Sequence, residues 1–166
     1  LVKVAVSHNR HERVSSEDGF DLIELTTGCS LRVQSVTTPK EGPYSRGRAV
    51  GVDCEYASQD IDIELLMPLV FSNREIDAAR HRSSEDKRDT FYRVWVAKEA
   101  YLKATGLGLS LDLTKVHIEW DNLRSHGMVE VTGKPEEQGR WRLRMLPAPL
   151  GHYAALVVDA GREYPH

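Results

Sequence analysis

The chain has 166 residues, of which 40% are hydrophobic, and a formal net charge of −3 at pH 7. That is enough for one domain with a real core or two small packed lobes. The slight acidic balance argues against a nucleic-acid partner, whose usual footprint is a marked basic excess. No apolar run approaches the ~20 residues that span a bilayer, so no membrane partner is expected. Two cysteines, Cys29 and Cys54, make no disulfide framework and no zinc-ligand spacing. A reducing, cytoplasmic setting is the expectation.

Residues 1–6 read as a strand, with valine at positions 2, 4 and 6. A polar stretch follows to Asp18, and then strand-like residues 20–36. A turn-rich linker, Thr37 to Gly47, contains Pro39, Gly42, Pro43 and Gly47. Residues 49–55 read as a buried strand. Residues 59–70 read as a helix despite Pro68. Ser72-Asn73-Arg74-Glu75 has capping-box spacing and opens a short helix to about Arg82. A longer helix is expected from about Lys87 to Thr105, with Phe91, Val94, Trp95, Tyr101 and Leu102 at helical spacing and Gly106 as its C-cap. Four strands are expected at 115–120, 127–132, 140–146 and 152–159. The fold class is therefore α+β, with an antiparallel sheet packed against a long helix.

Two groups of residues carry potential chemistry. Asp53 and Glu55 lie two apart in a strand, so their carboxylates share a face, and a divalent cation would relieve their repulsion. On spacing alone, two solvated acids remain the simpler reading. Trp95, Glu99 and Lys103 fall at i, i+4 and i+8 on one helical stripe, while Lys98 points elsewhere. Here a surface ion pair is the simpler reading.

Together these motifs resemble a known family. Gly51-Val52-Asp53-Cys54-Glu55 resembles the G-[VI]-D-x-E motif of surfactin-type (Sfp-type) 4′-phosphopantetheinyl transferases. Trp95 to Lys103 is similar to their W-x-x-K-E-[AS]-x-x-K motif. Phe71-Ser72-Asn73-Arg74-Glu75 and Gly106-Leu107-Gly108-Leu109-Ser110 resemble two further family segments in the same order. The likeness covers about residues 49–160. It implies a phosphopantetheinyl-transferase-like fold with two pseudo-symmetric lobes. Residues 1–50 would then form a truncated or rearranged N-terminal lobe, and residues 51–166 the C-terminal lobe with the metal and phosphate motifs.

By this resemblance, Asp53, Glu55 and Glu99 would bind Mg²⁺ with the pyrophosphate of coenzyme A, the donor substrate. Lys103 would touch the phosphates, and Lys98 matches the lysine before the metal-binding glutamate. Glu75 matches a residue proposed as general base, and a plain capping box with Ser72 stands beside that reading. Val6-Ser7-His8-Asn9 resembles the family's S-H motif, whose histidine contacts a phosphate of coenzyme A. His8 lies 45 residues before Asp53, farther than the family usually has it. Either residues 11–47 hold an insertion or the match is accidental, and His11 is a weaker candidate. The implied activity is Mg²⁺-dependent transfer of 4′-phosphopantetheine from coenzyme A to a serine of an acyl, peptidyl or polyketide carrier protein, releasing 3′,5′-ADP. The alternatives are a Mg²⁺-dependent phosphohydrolase and a non-catalytic carrier-binding domain or synthase fragment derived from the same family.

Overall fold

The structure is a computed structural model that describes residues 49–107, 111–121 and 124–161, together with the backbone of three short strands near the N-terminus. Those strands are β1 (Arg13–Val14), β2 (Ile23–Thr26) and β3 (Ser30–Val33), and they form an antiparallel sheet in the order β1-β2-β3. The strand expected at 1–6, the His8 motif and most of the expected N-terminal lobe lie outside the described residues.

The main sheet has five antiparallel strands in the order β4-β8-β7-β6-β5. They are β4 (Val50–Tyr56), β5 (Val116–Trp120), β6 (His126–Val131), β7 (Trp141–Leu146) and β8 (His152–Asp159). The first strand and the last are neighbours, with Asp53 opposite Ala155 and Glu55 opposite Tyr153. Between β4 and β5 the chain forms α1 (Ile63–Val70), α2 (Asn73–Ala79) and α3 (Ser84–Thr105). This is the α+β arrangement that the sequence pattern implies.

Boundaries move where caps decide them. The Asp62 side chain accepts from the Glu64 amide, so α1 begins several residues after the apolar pattern does. Pro68 sits inside α1, whose last turn is still closed by the Phe71 amide on the Met67 carbonyl. The Ser83 hydroxyl accepts from the Asp86 amide, which starts α3 earlier than hydrophobic spacing suggests. Gly106, at φ 69°, ends it in the left-handed region that glycine tolerates.

Helix α3 packs across the sheet and buries Val96, Ala97, Ala100, Tyr101 and Ala104 against Val116, Ile118, Val129, Trp141, Leu143, Ala155 and Val157. The approach of α3 to β4 is unusually close. A Cβ built on Gly51 would stand 1.9 Å from the Ala100 carbonyl oxygen and 2.3 Å from the Ala104 nitrogen, both backbone atoms that cannot turn aside. The other face of β4 and β8, with Val50, Val52, Cys54, Ala154, Leu156 and Val158, forms a second apolar cluster. The two-residue period of β4 thereby turns Gly51, Asp53 and Glu55 toward the helix.

The first half of α3 is tied to the loop after β4. Arg88 donates to the carbonyls of Ser58 and Ile61, and the Tyr92 hydroxyl donates to the Ser58 carbonyl. Tyr92 stacks on Tyr153, whose hydroxyl donates to Asp89 at 3.0 Å.

Two outcomes follow for stability. Gly51→Ala forces β4 and α3 apart and is expected to lower unfolding free energy by about 2 kcal/mol or more, read by urea denaturation. The phenol of Tyr153 is pushed up to about 12 by burial and by the Asp89 carboxylate. An unfolded tyrosine ionises near 10. The folded state therefore holds this proton more tightly, and its contribution is full below about pH 10 and is lost as pH rises toward 12. Tyr153→Phe should unfold more easily at pH 8, through the lost hydrogen bond, yet lose less stability than wild type between about pH 10 and 12. Equal slopes in the two proteins would refute the assignment.

Candidate active site at the junction of strand and helix

Asp53 and Glu55 project from β4 beneath α3. From the helix, Trp95, Glu99 and Lys103 descend at one turn apart onto the same place. Lys103 Nζ donates to Asp53 Oδ1 at 2.6 Å. Asp53 is buried, while its lysine partner is half exposed and can move. Trp95 stands beside Glu55, where its indole favours the charged form of the carboxylate. Burial first, then the charge of Asp53, holds both Glu55 and Glu99 above the usual carboxylate range, with Lys103 opposing the shift.

The second oxygen of Asp53, Oδ2, is buried without a hydrogen-bond partner among the described residues. An orphaned carboxylate oxygen in a core is expensive and calls for a cation or a donor. As the side chains stand, no three His, Cys, Asp or Glu among the described residues are drawn together closely enough to hold a metal. The three carboxylates nevertheless feel one another's charge, as the raised values of Glu55 and Glu99 show. All are hard oxygen donors, the type that suits a divalent cation such as Mg²⁺.

Glu75 and Lys98 are brought together elsewhere. Lys98, adjacent to Glu99 in sequence, leaves the helix on a different side and is fully buried. Its ammonium donates to Glu75 Oε2 at 2.6 Å, to the Val70 carbonyl at 2.6 Å and to the Leu113 carbonyl at 3.1 Å. Burial lowers its pKa, and Glu75 opposes that shift. Glu75 completes the capping box: it accepts from the Ser72 amide through Oε2, and Ser72 Oγ accepts from the Glu75 amide. Its other oxygen accepts from the Ile118 amide on β5. The pair thus joins α2, α3 and the start of β5, and both members are saturated with partners. His8 lies outside the described residues.

Three features of this arrangement were not expected from sequence. Trp95 was placed on the right stripe but given no role, and it favours the charged form of Glu55. The Lys98–Glu75 pair was legible in principle, since Lys98 falls in register with Phe91, Val94, Tyr101 and Leu102 on the buried stripe of α3. Gly51 was read as part of a motif, with no signal for the helix backbone that presses on it.

A cavity of about 370 Å³ opens on the far side of the sheet edge, lined by Ser72, His117, Glu130, Lys134 and Gln138 among others. It is separate from the carboxylates of β4, whose chemistry is the better guide to the reactive centre.

Comparison with known proteins agrees with the motif spacing. Residues 49–158 match the family model of the 4′-phosphopantetheinyl transferase superfamily. Over 63 residues the chain is 43% identical to the 4′-phosphopantetheinyl transferase HetI of Nostoc, a match covering 38% of this chain and 27% of that protein. The first two curated relatives are thus matched over only 27% and 37% of their lengths. A holo-[acyl-carrier-protein] synthase of Roseobacter denitrificans is 31% identical over 57% of this chain and 70% of its own. The fold resembles that of a holo-(acyl-carrier-protein) synthase from Bacillus anthracis, with a TM-score of 0.55 at 17% identity, covering 67% of this chain and 94% of that one.

These findings correct the surfactin-type assignment that the motifs suggested. The solved folds that match, and the relative matched over most of its length, are holo-acyl-carrier-protein synthases. The physical reason is that the paired motifs encode a single strand–helix junction, which does not specify the architecture that carries it. The chain belongs to the 4′-phosphopantetheinyl transferase superfamily, and within it to the holo-acyl-carrier-protein synthase (AcpS) side.

Proposed function

We propose that the chain transfers 4′-phosphopantetheine from coenzyme A to a serine of an acyl or peptidyl carrier protein, releasing 3′,5′-ADP. The observation that carries this reading is the convergence of Asp53, Glu55, Glu99 and Lys103 at one strand–helix junction, with Asp53 Oδ2 lacking a partner. The Bacillus anthracis synthase of similar fold was solved with coenzyme A (3′,5′-ADP), which agrees with the donor proposed.

In the proposed reaction a serine oxygen attacks the β-phosphorus of coenzyme A, and the phosphorus–oxygen bond to the adenosine bisphosphate breaks. Asp53, Glu55 and Glu99 would hold Mg²⁺, which when bound supplies positive charge against the pyrophosphate. Lys103, half exposed on its flexible stem, leaves Asp53 and turns to a phosphate oxygen, so that the charge developing on the leaving group meets a fixed cation. The proton of the serine passes to a base within hydrogen-bond reach of the hydroxyl, with solvent as its final acceptor. Trp95, partly buried beside Glu55, favours the charged form of that carboxylate. Glu75 and Lys98 act through position: their buried pair fixes the rotation of α3 and hence the direction of Glu99.

The test is intact-mass analysis of apo carrier proteins incubated with the chain, coenzyme A and Mg²⁺. The expected result is a gain of one phosphopantetheine, abolished by EDTA and reduced at least about 100-fold in rate by Asp53→Asn or Glu99→Ala. Lys103→Met should slow turnover by about 10- to 100-fold. No gain on any carrier from a folded wild-type chain would refute the reading. For Lys98→Met, stability should fall by about 3 kcal/mol or more, because Glu75 is left charged and buried without its partner. The residual folded enzyme should keep its KM for coenzyme A and lose kcat. A raised KM at unchanged kcat would instead place Lys98 against the substrate.

A further inference from the structure

At the opposite edge of the sheet from Asp53 lies a second cavity, of about 100 Å³. Four arginines line it: Arg74 from α2, Arg82 from the turn before α3, Arg93 from α3 and Arg124 from the β5–β6 turn. Its floor is apolar, formed by Ala78, Val94, Ile118 and Trp120. Four strand spacings separate β4 from β5, about 19 Å. Thr90 in the cavity wall is nine residues before Glu99, about 14 Å along the helix. This cavity is therefore distinct from the carboxylate site.

Not all four charges are balanced. Arg74 is shared between Glu119 at 2.8 Å and Glu130 at 2.9 Å, and Arg93 is paired with Asp89 at 2.8 Å. Arg82 donates through Nε to the Ala78 carbonyl, and Arg124 donates to the Thr90 hydroxyl. Neither Arg82 nor Arg124 has an ion-pair partner among the described residues. The cavity's one carboxylate, Glu75, already serves Lys98 and two backbone amides.

The crowding bears on Arg124 most directly. Burial, then the charge of Arg82, lowers the pKa of Arg124, with Arg93 adding to the effect and Asp89 and Asp86 opposing it. Arg124 also stands at φ 52°, the one positive φ among the described non-glycine residues. A left-handed arginine costs about 1 kcal/mol relative to a relaxed backbone. Like charges brought together around a small hollow repel unless an anion sits among them. Guanidinium forks match the oxygens of tetrahedral and planar oxyanions.

We propose that the hollow between Arg74, Arg82, Arg93 and Arg124 is a binding site for a compact phosphate-class oxyanion, either free phosphate or the phosphate terminus of a larger molecule. Arg82 and Arg124 supply the uncompensated charge. Arg93 orients Arg124 through the hydrogen bond it donates to the Arg124 carbonyl at 3.4 Å. Trp120 and Val94 exclude water from one side. The site makes no demand on the carboxylate cluster, so it stands whether or not the transfer reaction does.

The experiment is calorimetric titration of the intact chain in EDTA with inorganic phosphate, phenyl phosphate and acetate. Sodium chloride at matched ionic strength controls for screening. The expected result is saturable 1:1 phosphate binding and a melting temperature that rises with phosphate beyond any effect of chloride. Arg82→Gln should weaken binding roughly tenfold or more. Arg124→Gly should do the same while leaving the unliganded chain at least as stable, since glycine accepts the left-handed backbone. Arg80→Gln, outside the cavity, should bind as wild type. Phenyl phosphate binding as well as phosphate identifies the terminus of a larger molecule. Phosphate alone identifies the free ion. Binding that survives both cavity variants but is lost in Lys103→Met would overturn the proposal, as would a response to phosphate no larger than that to chloride or acetate.

Discussion

The contact of backbone on backbone between β4 and α3 is the constraint from which the rest of this molecule follows. With no Cβ at Gly51, the Ala100 and Ala104 segment of the helix settles directly on the strand. Any larger residue would lift the helix and with it Glu99 and Lys103. Because strand side chains alternate, the face that carries Gly51 also carries Asp53 and Glu55. Close packing and convergence of charge are thus the same geometric fact.

That convergence is energetically unfavourable by itself. Burial and mutual repulsion press the carboxylates of Glu55 and Glu99 toward their neutral forms, and Lys103 only partly offsets this. A folded protein tolerates such a site where the surrounding structure over-determines it. The framework here includes Lys98 and Glu75, which join three elements behind the site, and the stack of Tyr92 on Tyr153 with Asp89, which ties the front of α3 to the sheet. The two halves of the W-x-x-K-E segment therefore divide the labour. Lys98 holds the helix from behind, and its neighbour Glu99 faces the reactive centre.

The basic hollow at the β5 edge has the opposite sign and a similar logic. Packing of Val94, Ile118 and Trp120 brings arginines from the helical segment and the β5–β6 turn together. Arginine charge that carboxylates only partly balance at one edge is mirrored by carboxylates that the fold concentrates at the other. The two sites share no lining residue, although Arg93 of the hollow pairs with Asp89 and lies over Tyr153, which neighbours Glu55 in the sheet.

Much of this was legible in the residues. The order of strands and helices after residue 49, the shared face of Asp53 and Glu55, and the shared stripe of Glu99 and Lys103 follow from short-range periodicities of two and 3.6 residues, and the capping box from the spacing of Ser72 and Glu75; the grouping of those carboxylates in one site came from the family resemblance. Chain order and local pattern also pointed to the superfamily. Tertiary structure decided what depends on long-range approach. It set the saturation of Glu75 by a lysine 23 residues away and a strand amide 43 residues away. It also set the meeting of four arginines from α2, the turn before α3, α3 itself and the β5–β6 turn. A motif reports the local geometry of its own strand or helix. Which side chain closes on which partner depends on how elements distant in sequence pack, and no local period encodes that distance.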